Sequence, residues 1–203
     1  MPKSAATRAS DIPAKERILK AAIRRFARHS YEDTGLGDIA NDADVDVAYV
    51  HRSVGSKEQL FTEVLTATVQ PERLLSPDTD TFSRHLVGEV FQRQVASRDA
   101  ETGPHEILVR SLSSPAAASV IRECILRDFI APMSQHLDEP ARLRTSMICA
   151  LLLGVGILRD VVTVPQLQES AGGNMHHLLV TTIDHIVSSA MDAELVPSKG
   201  PGE

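Results

Sequence analysis

The chain is poor in aromatic residues and in cysteine. Of its 203 residues only 3% are aromatic, there is no tryptophan, and two residues are cysteines. Cys124 and Cys149 lie in apolar stretches without metal-type spacing, so we expect reduced core residues rather than a disulfide framework. The N-terminus is polar and lacks the apolar segment of a secretory signal. These absences predict a cytoplasmic protein.

Motifs that would indicate catalysis or metal binding are also missing. The sequence has no Gly-rich phosphate loop, no Gly-x-Ser-x-Gly elbow and no His-Glu-x-x-His. His177 and Asp184 share a helical face near the C-terminus but lie two turns apart, too far for one ion. We therefore expect no catalytic site, no metal and no cofactor. A helical enzyme remains a rival hypothesis.

The longest apolar run covers residues 147–164 and is interrupted by Arg159 and Asp160. About a dozen apolar residues precede the interruption, which is too few to span a bilayer. The run is interpreted as a buried helix, and we expect no membrane partner.

Residues 35–60 predict two short helices joined by a tight turn. Asp44 stands at the turn, where a positive φ is tolerated at modest cost by Asp. Asp46 is placed to cap the second helix, and Val45 and Val50 flank that cap as a hydrophobic staple. The first helix places its apolar residues on one face: Leu36, Ile39, Ala40 and Ala43.

A further helix begins directly afterwards. Ser56 and Gln59 have the spacing of a capping box, and Lys57 lies beside the free N–H groups of the first turn. Such a helix start predicts a site for one phosphate.

The positive charge is concentrated near the N-terminus. The net charge of −6 argues against a general nucleic-acid binder, but residues 1–28 carry eight Lys or Arg against two acids, whereas residues 61–203 carry eleven against eighteen. The basic end of the chain is thus also the end that contains the two short helices.

Residues 15–65 resemble the DNA-binding domain of the tetracycline-repressor-like (TetR) family of transcriptional regulators. Several departures from the family pattern occur, with Asp44 for a common Gly, Asp46 for a common Ser or Thr, and His51 for a common Tyr. The resemblance is carried by Arg17, Ile18, Leu19, Ala21, Ala22, Phe26, Tyr31, Thr34, Ile39, Ala40, Ala43, Val45, Gly55, Ser56, Lys57, Glu58, Leu60 and Phe61.

The resemblance implies an all-α fold. A three-helix N-terminal domain with a helix-turn-helix would be followed by a C-terminal helical domain for ligand binding and dimerisation. The expected divisions are a flexible basic arm at 1–12, the helix-turn-helix domain at 13–60, the effector-binding and dimerisation domain at 61–194 and a disordered tail at 195–203.

The resemblance further implies a repressor that dimerises on a palindromic operator through its last two helices and is released by a small-molecule effector. Gly154 and Gly156 would allow close approach of the two subunits. The alternative is a module of the same fold with weakened or lost DNA binding, which the departures favour because carboxylates repel phosphate. Base edges would be contacted by Val47, Ala48 and Tyr49, and phosphates by Thr34, His51, Arg52 and Lys57.

An effector site in the middle of the C-terminal helices is also implied. The expected ligand-binding residues are mostly apolar, with two polar partners among them: Leu65, Phe82, His85, Leu86, Phe91, Arg110, Phe129, Met133 and Cys149.

Overall fold

The computed structural model describes residues 13–74, 82–99, 103–169 and 172–189. Within these ranges the regular elements are all helical and no β-strand occurs, which confirms the all-α prediction. The helices are α1 (Ala14–Arg28), α2 (Leu36–Ala43), α3 (Val47–Val54), α4 (Lys57–Val69), α5 (Pro71–Leu74), α6 (Phe82–Asp99), α7 (Pro104–Ser111), α8 (Pro115–Ile125), α9 (Ala131–Ser134), α10 (Ala141–Gly156) and α11 (Asn174–Ser188). The expected arm and tail lie outside the described residues.

The turn between α2 and α3 forms as the sequence predicts. Asp44 has φ 51° and ψ 55°, a left-handed conformation that ends α2. The Asp46 carboxylate accepts a hydrogen bond of 2.7 Å from the backbone N–H of Ala48 and thereby caps α3. Val50 is fully buried and Val45 packs against the same core. Helices α2 and α3 are therefore held as a helix-turn-helix pair.

A short helix, α5, follows α4 directly. Helix α4 ends at Val69, the next residue Gln70 has a left-handed conformation with φ 46°, and residues 71–74 form α5. Pro71 starts α5 because proline has a helical φ and needs no donor at a first helical position. Helix α6 is described from Phe82 onward.

A π turn precedes Pro132. Leu126–Ile130 is π-helical, and the backbone N–H of Ala131 bonds the Leu126 carbonyl. Pro132 has no N–H to continue an α-helical ladder, so the chain widens before it and resumes in α9. A second π turn, Ile157–Val161, extends α10, where Val162 N bonds Ile157 O at 3.0 Å.

The apolar core has two parts, and the first extends beyond residue 60, the predicted end of the helix-turn-helix domain. The first core joins α1–α4 with α7 and α8, and it includes Phe26, Tyr31, Phe61, Ile107 and Ile121. The second core joins α6, α9, α10 and α11, and its buried members include Leu86, Phe91, Met133, Ile148 and Ile183. Helices α7 and α8 thus pack with the helix-turn-helix.

The apolar run that begins at residue 147 is not fully buried. The segment Ala141–Val161 has the length and composition of a membrane-spanning helix, yet only 28% of its most apolar window is buried within the chain. One face is anchored internally, since Arg144 and Arg159 are 5% and 2% exposed. The prediction of a buried helix is therefore wrong for the opposite face, which carries exposed apolar side chains.

Candidate DNA-binding surface and effector core

Helix α3 presents the side chains that the sequence analysis assigns to the major groove. Val50 and Val54 are buried and fix the inner face of the helix. Val47 and Tyr49 are 43% and 38% exposed, which is unusual for large apolar side chains. Ala48, His51 and Arg52 are exposed beside them. An exposed helix face with an aromatic ring and a cation has the shape and chemistry to enter a major groove.

Thr34 does not lie on this surface. Its side chain is fully buried, and its hydroxyl donates to the Ser30 carbonyl at 2.9 Å. The predicted contact between this side chain and a phosphate is therefore wrong. The hydroxyl instead stabilises the loop after α1.

Lys57 is held against an aromatic ring. Its Nζ lies 4.1 Å from the centre of the Tyr31 ring, a cation–π contact. Tyr31 is itself fixed by Phe26 and Phe61, whose ring centres lie 5.8 Å and 5.1 Å from its own. Burial raises the pKa of Tyr31 to about 12, so its ring stays neutral. The ammonium group is thus positioned before any DNA binds.

The start of α4 already holds a negative charge. A hydrogen bond from its own backbone N–H lowers the pKa of Glu58, and the Ser56 hydroxyl adds to this effect. The predicted capping box is present, with Ser56 N donating to Gln59 Oε1 at 2.9 Å and Gln59 N donating to Ser56 Oγ at 3.2 Å. The first-turn N–H groups are therefore partly used within the chain, which weakens the predicted phosphate site at this helix start.

Helix α2 is attached to α1 by a two-point ion pair. Arg25 donates from Nε and Nη2 to the Asp42 carboxylate at 2.7 Å and 3.2 Å. The hydrogen bond from Arg25 lowers the pKa of Asp42. A planar guanidinium bound at both carboxylate oxygens fixes orientation as well as distance, so α1 sets the direction of the helix-turn-helix pair.

Most of the predicted ligand-binding residues meet in the second core. Leu86, Phe91 and Met133 are buried there, and Phe82, Phe129 and Cys149 pack against them. His85 lies beside α5, with its Nε2 2.6 Å from the Arg73 carbonyl oxygen.

Two of the predicted ligand-binding residues lie elsewhere. Leu65 is buried in the first core, which joins α4 to α1–α3, α7 and α8. Arg110 is exposed on α7. Both assignments are corrected on this basis.

The polar group that the sequence analysis missed in this core is Arg159. Its guanidinium carbon lies 4.2 Å from the centre of the Phe91 ring, and its Nη2 donates to the Glu169 carbonyl at 3.1 Å. The His176 ring packs on Phe91 as well, at 5.5 Å between centres. In the sequence, Arg159 interrupts an apolar run. A charged residue in such a run was the signal that could have indicated a polar group in this core.

An exposed apolar face runs along α10 and its π turn. Its members are 45% to 55% exposed: Leu143, Met147, Leu158 and Val162. Gly154 borders open space, since a Cβ there would meet no atom within 4 Å. Gly156 is instead covered by His105 of the same chain, so the expectation that it serves close approach of a second subunit is wrong.

This fold is that of a two-part helical transcription regulator, with a helix-turn-helix beside a helical ligand-binding domain. Residues 18–64 match the model of the bacterial regulatory proteins of the tetR family, and residues 80–187 match the tetracyclin repressor-like C-terminal domain. The chain belongs to the TetR family. Members of this family are transcription factors, not enzymes. No curated protein sequence matches the chain.

Solved structures support the same fold. A TetR-family regulator from Streptomyces coelicolor A3 is 23% identical, with 93% of this chain and 99% of that chain covered and a TM-score of 0.56. NalD, the secondary repressor of the MexAB-OprM multidrug efflux pump in Pseudomonas aeruginosa, is 20% identical, with 86% and 96% covered and a TM-score of 0.64. The multidrug binding protein EbrR, solved with ethidium, is 16% identical, with 87% and 100% covered and a TM-score of 0.62.

Proposed function

We propose that the protein is a cytoplasmic repressor that binds a palindromic operator as a homodimer and is released when a small molecule enters the second core. The observation that carries this proposal is the exposed face of α3, with Val47 and Tyr49 unburied next to Arg52. A helix-turn-helix reads DNA with the exposed face of its second helix.

The proposed DNA contacts are of two kinds, to base edges and to phosphates. Val47, Ala48 and Tyr49 would face base edges, where apolar groups contact the thymine methyl. His51, Arg52 and Lys57 would contact phosphates, which position the protein on the duplex. Lys57 is the best prepared of these, because the Tyr31 ring restricts its side chain.

The apolar face of α10 supports the proposed dimer. Leu143, Met147 and Leu158 lie along one side of the helix, and Leu178 on α11 is 67% exposed. Apolar side chains so exposed in one copy are expected to be covered by a second copy, and a two-fold axis would present two α3 helices to two half-sites. The internal anchoring of Arg144 and Arg159 favours this over insertion in a membrane.

The second core is the proposed effector site. Phe91 is buried in it, and both Arg159 and His176 pack on the Phe91 ring. A small molecule that separates these groups would have to displace α6 from α10 or α11. NalD is described as a repressor and EbrR as a multidrug binding protein, and the proposed mode of action follows those relatives. A few kcal/mol of differential affinity suffices to shift such an equilibrium.

A selection from random-sequence duplexes with the purified full chain tests the proposal. We expect recovery of one palindromic motif, because a symmetric dimer reads two equal half-sites. Unrelated recovered sequences would contradict it and would favour the alternative of a TetR-fold module with lost DNA binding, to which Asp44 and Asp46 contribute repulsive charge.

A further inference from the structure

The second π turn, Ile157–Val161, lies where the two cores meet. Two consecutive charged residues of this turn are anchored in opposite directions. Arg159 extends into the second core and lies on the Phe91 ring. Asp160 extends toward α7, where its Oδ2 is 2.7 Å from Nδ1 of His105. The turn is therefore bound both to the second core and to α7, which packs in the first core.

The same turn also reaches the proposed dimer face. Leu158 and Val162 are 45% and 55% exposed and continue the apolar stripe of α10. In a homodimer that uses this stripe, the turn would be fixed by the partner. Any unit bonded to Asp160 would then be oriented relative to the two-fold axis.

Through His105, Asp160 is bonded to the part of the molecule that contains the helix-turn-helix, here called the DNA-binding half. His105 is in the first turn of α7, and the next turn places Ile107 and Leu108 in the first core. Helix α7 packs on α1, which holds α2 through Arg25 and Asp42. A continuous series of contacts thus connects Asp160 to the helix-turn-helix.

The His105 ring has little freedom to move. A Cβ on Gly156 would lie 2.2 Å from its Nε2 and 2.3 Å from its Cε1, so the ring lies directly against the α10 backbone. The His105 side chain is 16% exposed and that of Asp160 is 29% exposed. A hydrogen bond that is largely shielded from water and sterically confined defines an angle between two helices better than an exposed ion pair does.

We infer that His105 and Asp160 are positioning residues, which fix the angle between the DNA-binding half and the dimer face. They thereby set the separation of the two α3 helices. This inference rests on the proposed function, because separation has meaning only for a dimer on two half-sites. Loss of the bond leaves both cores folded but allows the two α3 helices of the dimer to lie at several distances from each other.

The test measures spacing selectivity of the full chain. The duplex is the palindrome selected by the wild-type protein, with versions that have one or two base pairs inserted or deleted at its centre. We expect the wild-type affinity to fall at least tenfold for a two-base-pair change. For His105→Ala and Asp160→Ala we expect a few-fold loss on the native spacing and a spacing penalty below threefold.

Two further variants separate positioning from general stability. Asp160→Asn keeps an oxygen that accepts from the imidazole N–H, so it should restore most of the selectivity lost in Asp160→Ala. Ser83→Ala removes a hydrogen bond of 2.5 Å to Asp184 that joins α6 and α11. It should retain wild-type selectivity even if its melting temperature falls.

A substitution in α10, against which the His105 ring packs, tests the same contact. Gly156→Ala forces the His105 ring away from α10 and should lose selectivity as His105→Ala does. The double variant should be no worse than either single one, because both changes break one contact.

The outcomes distinguish the inference from the proposed function. If wild-type protein selects no duplex, the proposed function fails and the inference falls with it. If wild-type protein discriminates spacing and His105→Ala and Asp160→Ala, shown to be folded, discriminate it equally well, the positioning role is overturned while the proposed function stands.

Discussion

The ammonium group of Lys57 lies 4.1 Å above the Tyr31 ring, and that ring is 2% exposed. A cation that is ordered before binding loses less conformational entropy when it meets a phosphate. This relationship connects the aromatic cluster of the first core to the DNA-binding surface. In the proposed complex with DNA, the Lys57 ammonium group would be the partner of one phosphate.

Replacement of Lys57 by Ala should weaken operator binding and reduce its dependence on salt. One phosphate contact accounts for a slope of about 0.9 in the logarithm of affinity against the logarithm of salt concentration. Anisotropy titrations at several salt concentrations measure this slope. Tyr31→Phe keeps the ring and should retain the wild-type slope, and Arg122→Ala removes an exposed cation of α8 as a control. An unchanged slope in Lys57→Ala would contradict the contact.

Asp46 has two effects that a pair of variants can separate. Asp46→Ala removes the cap of α3 and should lower the free energy of unfolding by about 1 kcal/mol. Asp46→Ser keeps a capping oxygen but removes the negative charge, so stability should hold while DNA binding becomes tighter. Urea unfolding and anisotropy measure the two quantities. Equal DNA affinity of Asp46→Ser and wild type would show that this carboxylate does not repel the duplex.

The ion pair between Arg25 and Asp42 predicts a specific loss of stability in acid. The folded-state pKa of Asp42 is lowered by Arg25 from its ordinary value of 3.8, so the unfolded chain binds the proton more readily. The stabilisation is present above about pH 4 and is lost as the pH falls through the folded-state pKa.

Asp42→Asn should therefore lower the free energy of unfolding at pH 7, by about 1 kcal/mol or less because the pair is partly exposed. It should also show less further loss between pH 5 and pH 3 than wild type. Urea unfolding across this range provides the comparison. Glu16→Gln removes the exposed partner of Lys20 within α1 and serves as the control, with a change within about 0.5 kcal/mol. Parallel pH profiles for Asp42→Asn and wild type would contradict the prediction.

The proposed dimer predicts that one charge on the apolar face of α10 is disruptive. Met147 is 52% exposed in a single copy, and Met147→Glu should convert a dimer into a monomer, because burial of an unpaired carboxylate is costly. Light scattering at micromolar concentration measures the mass. Leu112→Glu changes a residue of α7 that is 51% exposed and should remain dimeric. A dimeric Met147→Glu would place the interface elsewhere.

Both cysteines should react slowly in the folded protein. Burial raises the pKa of the Cys149 thiol to about 11 and also raises that of Cys124. At pH 8 only about one thousandth of Cys149 is then thiolate, the form that reacts. Alkylation by iodoacetamide should be at least tenfold slower in buffer than in urea. Rapid alkylation of native protein, traced to one site with Cys149→Ser, would contradict the inert role.

The helix-turn-helix was predictable from sequence because its signals are local. Asp44 tolerates the left-handed turn, Asp46 caps α3, and the spacing of Ser56 and Gln59 defines the next helix start. Each of these depends on residues at most three positions apart. Thr34 was assigned wrongly because its motif position gives no measure of burial.

The C-terminal half was less predictable because its contacts join distant residues. His105 and Asp160 are 55 positions apart, and no periodicity indicates that they meet. Gly156 was interpreted as a place for subunit contact, whereas His105 occupies it. The sequence shows that Arg159 and Asp160 interrupt an apolar run. It does not show that Arg159 extends into the second core and Asp160 toward α7, because this depends on how the two cores pack.

The proposal of a homodimeric DNA-binding repressor is best tested by the binding of the wild-type chain to its own upstream intergenic DNA. Fluorescence anisotropy at two salt concentrations, against a scrambled duplex of equal composition, gives specificity, salt dependence and stoichiometry together. A homodimeric repressor should bind specifically and in a salt-sensitive way with two subunits per site, and it should give the same result on the palindrome from the random-sequence selection. Equal, weak binding to specific and scrambled duplexes, with no palindrome selected, would contradict it.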